Sequence, residues 1–122
     1  MAKRNQNFSV YQGDDERQTI PIVGTDGVTP FTMTGYTTTQ VKWQAWDPLV
    51  PATIILDYAI GSGLTIVSVD GTDDGVQIDI TDTESALLAV GVLRHECWIT
   101  DATPRTKTAF AGELRVLDSI KA

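Results

Sequence analysis

A chain of 122 residues with a formal net charge of −7, 42% hydrophobic and 20% charged, has the size of one domain and enough apolar surface for one core, which excludes a disordered chain. The acidic balance argues against nucleic-acid binding, which needs clustered Lys and Arg, and a lone cysteine, Cys97, excludes an internal disulfide. No apolar run approaches the roughly 18 residues of a membrane span, and no hydrophobic region follows Lys3-Arg4, so the expected protein is made and folded in a cytoplasm, away from membranes.

Residues 1–7 are polar and read as a flexible N-terminal arm; residues 8–122 read as a single domain. Residues 8–11 alternate in strand fashion and stop at the turn Gln12-Gly13-Asp14-Asp15. Residues 17–23 resume the alternation, and Pro21 confines that strand to a sheet edge or to a position whose N–H points outward. After the Asp26-Gly27 turn, a Thr34-Gly35 step leads into residues 37–47, rich in β-branched and aromatic side chains. There Thr39, Val41, Trp43 and Ala45 share one face and Gln40, Lys42, Gln44 and Trp46 the other, with Trp43 predicted as core anchor.

Pro48 and Pro51 bracket a break before strands predicted over 52–59, 64–69 and 76–81, the last with Val76, Ile78 and Ile80 inward. One helical turn is expected near 83–89. Residues 91–101 form the candidate central strand, with Leu93, His95, Cys97 and Ile99 on the core side and Val92, Arg94, Glu96, Trp98 and Thr100 opposite. Residues 108–117 are its hairpin partner. About eight short strands with turns every 8 to 12 residues predict an all-β sandwich or barrel.

Catalytic and metal chemistry find little to work with. His95 and Cys97 point the same way, but tetrahedral zinc wants three or four such ligands and the chain has no other histidine or cysteine. A nucleophile needs a base and an orienting acid, and a buried His95 serves no substrate, so no enzyme activity, cofactor or metal is expected. Asp70, Asp73, Asp74, Asp79 and Asp82 are the densest acidic group; their spacing departs from the EF-hand pattern and reads as a solvated turn, with calcium as the other reading. Trp46 and Trp98 fall on outward faces, where tryptophan marks protein contacts, or sugar platforms if the partner is a host carbohydrate. Lys3 and Arg4 on the arm would meet an acidic neighbour.

The order of residues 31–37 (Phe-Thr-Met-Thr-Gly-Tyr-Thr), Asp74-Gly75-Val76-Gln77-Ile78, Asp82-Thr83 through Leu87-Leu88 to Gly91, the strand ending at Asp101, and Gly112-Glu113-Leu114-Arg115-Val116 resembles small immunoglobulin-like domains of tailed-bacteriophage virion proteins. Among these are the N-terminal domain of phage baseplate upper proteins and short stand-alone head and tail proteins. The likeness runs from about Val10 to Val116; Leu93 and His95 stand where aromatics are commoner, and Met33 where leucine is usual. The resemblance implies an immunoglobulin-like antiparallel β-sandwich of 7–8 strands and a non-enzymatic virion structural protein. It would be a capsid decoration or stabilising protein, alternatively a tail or baseplate adaptor, that binds other virion proteins as a homo-oligomer in the particle, after assembly in the host cytoplasm.

Overall fold

The computed structural model describes residues 4–24, 26–50, 53–101, 103 and 105–118. Among them nine strands and one helix follow in order: β1 (Arg4–Asn5), β2 (Phe8–Tyr11), β3 (Glu16–Pro21), β4 (Val41–Trp46), β5 (Ile54–Ile60), β6 (Gly63–Val67), β7 (Gly75–Ile80), α1 (Asp82–Ala86), β8 (Gly91–Thr100) and β9 (Thr106–Leu117). The hydrogen-bonded path runs β1-β9-β8-β4-β5-β6-β7-β3, with β2 also on β9. Only two residue pairs join β5 to β6, Ala59 with Gly63 and Ile60 with Leu64. The path folds over at this narrow link, and the inward side chains of both halves share one core.

Alternation decides which residues make that core. Trp43, Val41 and Ala45 of β4, Cys97, Ile99 and His95 of β8, and Val76, Ile78 and Ile80 of β7 are all buried, as their sequence pattern predicts. Trp43 is fully enclosed, its ring 5.2 Å from that of Tyr58. The Tyr58 hydroxyl donates to Glu84 Oε2 at 2.9 Å, tying the centre to α1. That helix starts at Asp82, one residue ahead of the expected turn: Thr81 is the cap, its Oγ accepting from the Glu84 amide.

Pro21 ends β3, which pairs with β7 alone and is therefore an edge strand, as proline requires. The strand expected from residue 37 begins instead at Val41. Residues 37–40 close as a turn, with the Gln40 amide on the Thr37 carbonyl and Gln40 Oε1 accepting from the Thr37 amide.

Two further expectations are corrected. The sheet is not wholly antiparallel, since β1 and β2 run parallel to β9 and β5 runs parallel to β6. Nor are all of residues 1–7 a free arm. Arg4 and Asn5 pair with Phe110 and Ala111, the Gln6 amide donates to the Ala111 carbonyl, and Asn7 Oδ1 accepts from the Glu113 amide. The polar composition that reads as an arm is compatible with a strand held by its main chain, because those bonds do not depend on side-chain type.

Candidate interaction surface

On the outward side of β4 stand Lys42, Gln44 and Trp46; on that of β8 stand Val92, Arg94, Glu96 and Trp98. The antiparallel register sets Lys42 beside Trp98, Gln44 beside Glu96 and Trp46 beside Arg94. Each strand thus reads base, polar residue, tryptophan, and each tryptophan lies opposite the other strand's base. Both indoles are half-buried. Arg94 and Trp98 are four residues apart, about 13 Å along the strand, so the two tryptophans mark opposite ends of the face rather than one patch.

The ends differ in chemistry. Trp98 borders a groove of about 310 Å³ with Thr39, Gln40, Lys42, Thr100 and Thr106, and the Thr100 and Thr106 hydroxyls are bonded to each other at 2.8 Å. At the other end Trp46 pairs with Ile54, which is exposed. Beyond it a cleft of about 160 Å³ is lined by Asp47, Leu49, Val90, Gly91 and Val92. Leu49 is 89% exposed, Val90 56% and Val92 43%. Leu49 and Val90 escaped the sequence reading. A signal was present, since residues 48–51 (Pro-Leu-Val-Pro) put two apolar side chains in a loop whose prolines keep it from forming a strand that would bury them.

Charge separates the two layers. Residues 12–30 and 61–90, which supply β3, β6, β7, α1 and their turns, hold ten carboxylates against the single base Arg17. Residues 40–60 and 91–118, which supply β4, β5, β8 and β9, hold five bases against six acids. The layer bearing the tryptophans is close to neutral, and such a surface gives up its water to a partner more easily than a strongly charged one.

The remaining candidates are structural. His95 is 1% exposed and lies between two fixed partners: Trp43 Nε1–H donates to Nδ1 at 3.0 Å, and Nε2 faces the Gln6 carbonyl oxygen at 2.5 Å. Burial pushes its pKa below the ordinary value, the Gln6 carbonyl works against that shift, and Arg94 adds to it. Burial, with a smaller effect from Glu96, holds the Cys97 thiol well above its usual range and so protonated.

The acidic loop is solvated at Asp70, Gly71 and Thr72, as its composition suggests, but not at its centre. Asp74 is buried, and its carboxylate accepts from the amides of Val69, Asp70 and Gly71 at 2.7, 3.1 and 2.9 Å. Those bonds, the Val69 amide foremost, hold its pKa below the normal carboxylate value. Asp79 instead pairs with exposed Arg17 at 2.9 Å, and the Asp82 amide donates to Asp15. Among the described residues no group of three or more His, Cys, Asp or Glu side chains is placed to hold a metal ion. Arg4 enters through its main chain, and Lys3 lies outside the described residues.

These elements define an immunoglobulin-like β-sandwich. Among solved structures the chain is similar to a chicken TCR, with a TM-score of 0.56 at 13% identity. The match covers 98% of this chain and 56% of the TCR chain, so the likeness is one of fold and spans about half of that protein. No family model matches the sequence, and no curated protein does.

Proposed function

We propose that this chain is a non-enzymatic structural component of a tailed-bacteriophage particle, a capsid decoration or stabilising protein that adheres to another virion protein through the outward face of β4 and β8. The observation that carries the adhesive part is the Trp46 end, where a half-buried indole continues into exposed Leu49, Val90, Val92 and Ile54 beside Arg94. Aromatic and arginine anchors ringed by apolar contacts are the composition of a protein interface centre. What supports the virion part is the ordered series of motifs from about Val10 to Val116, together with a sandwich fold of the kind the resemblance implies. Many symmetric copies would turn modest single contacts into firm attachment through avidity.

Co-sedimentation with purified tailed-phage particles lacking this protein tests the reading. The wild-type chain pellets with particles, and the pair Trp46→Ala with Leu49→Asp stays in the supernatant while melting as a folded domain. Gold labelling of the pelleted particles on the tail rather than the head would replace decoration by the tail or baseplate adaptor. Equal pelleting of the double variant removes this face from the account.

A further inference from the structure

β9 carries no side chain at Gly112, and the N-terminal segment crosses directly over that position: a Cβ there would stand 2.1 Å from the Gln6 carbonyl oxygen. Gly112 is also the cross-strand partner of His95. The bare position lets the imidazole reach past β9 to the crossing chain, which is how a core histidine meets a carbonyl 89 residues away in sequence.

The two bonds fix the ring's proton. An indole N–H donates and never accepts, so Nδ1 is the bare acceptor facing Trp43. The single proton of the neutral ring is therefore on Nε2 and is donated to the Gln6 oxygen. This chain of bonds, Trp43 to His95 to Gln6, runs from the core anchor to the N-terminal strand.

A second proton has no acceptor. On Nδ1 it would point at the Trp43 N–H, donor against donor. The ring is walled by Phe8 of β2, Trp43 of β4 and Phe110 of β9, with centroids at 5.0, 5.8 and 6.0 Å. On its own strand Leu93 and Cys97 share its face, and Tyr58 of β5 stands behind Trp43. The thiol and the phenol are both kept neutral by burial. Arg94, next in the chain, adds positive charge. Glu96 and Glu113 sit on the opposite face, one taking a bond from Thr108 and the other 3.9 Å from Arg115. Among the described residues no carboxylate pairs with the ring. An imidazolium here would be a buried charge without a counter-charge.

We propose that Trp43, His95 and Gln6 form a proton-operated latch: with His95 neutral it clasps β1 and β2 onto β9, and with His95 protonated the ring turns away from Trp43 and those strands leave. Release stops at the 12–15 turn, which is pinned separately by Gln12 Nε2 on the Leu88 carbonyl and by Ser85 Oγ on the Asp14 carbonyl. The vacated edge of β9, along Phe110–Leu117, is then left with unpaired main-chain groups and the places left by Phe8 and Val10.

The test follows ¹⁵N signals of the imidazole and hydrogen exchange of backbone amides in the full chain from pH 7.5 to 4.5, corrected for intrinsic exchange. At pH 7.5 the ring is the Nε2–H tautomer. On acidification the amides of β1, β2 and Gln6 lose protection in step with the imidazole titration, by up to about tenfold for each pH unit, while β4 and β8 stay protected. His95→Gln keeps the strands docked throughout, and Gly112→Ala frees them already at pH 7.5. N-terminal amides that stay protected through the titration, or that open only with β4 and β8 in one global step, overturn the latch. Should His95→Gln not fold, the wild-type coincidence of midpoints decides alone.

Discussion

Trp43 has two duties that a single substitution separates. Its ring fills the centre of the sandwich, and its N–H satisfies His95. Trp43→Ala loses both and should cost about 3–5 kcal/mol, read as a large fall in denaturant midpoint; an unchanged midpoint would place the core elsewhere. Asp74 is a second test. Its neutral isostere Asp74→Asn keeps the shape but cannot accept three amide bonds with charge, so melting should fall and fluctuation of the 68–74 loop should rise in amide exchange. An equal melting temperature would mean the loop holds without the carboxylate. The core role of Trp43 could be read from alternation alone. The role of Asp74 could not, because an aspartate in an acidic, glycine-containing turn looks solvated until the folded chain is seen to bring three amides round one carboxylate.

Elements carry the interface claim. Since β4 and β8 present their tryptophans four residues apart on a common face, Trp46→Ala and Trp98→Ala act at different ends of the face. Each should cost about 1–2 kcal/mol of stability, the sum of a cross-strand pair and a half-buried ring. Trp46→Ala should weaken attachment to particles strongly and Trp98→Ala weakly, read by co-sedimentation; the reverse order would move the contact to the groove near Thr39 and Thr106. Faces were legible because period-two placement is local. The docking of residues 4–7 on β9 was not, since it rests on main-chain bonds to a strand more than 100 residues away and on the missing Cβ of Gly112, neither of which leaves a hydropathy pattern. Leu49 left a signal in its proline-bracketed loop, whereas Val90 gains meaning only when its own loop meets Leu49 at one cleft.

At the scale of the whole molecule, acid should weaken the fold in two stages. His95 is held below its unfolded pKa of about 6.5, so the stability it contributes is complete above that value and declines as pH falls through its lowered one. Asp74 and Asp101, held low by amide bonds, contribute stability above the ordinary carboxylate range and lose it as pH falls through theirs. Thermal melts from pH 8 to 3 should therefore be flat near neutrality and decline in two steps; a stability maximum near pH 5 would contradict the assigned signs.

On the proposed reading, the lopsided charge of the sandwich should orient it on its neighbour, with the carboxylates crowded into α1 and the turns around β3, β6 and β7 toward solvent and the near-neutral tryptophan face inward. A cryo-electron-microscopy reconstruction of a tailed-phage particle carrying this protein measures that orientation directly. The predicted density seats Trp46, Leu49 and Val90 against a neighbouring virion protein. A particle in which that end stands free in solvent, or in which the β3–β7 side makes the contact, contradicts the account.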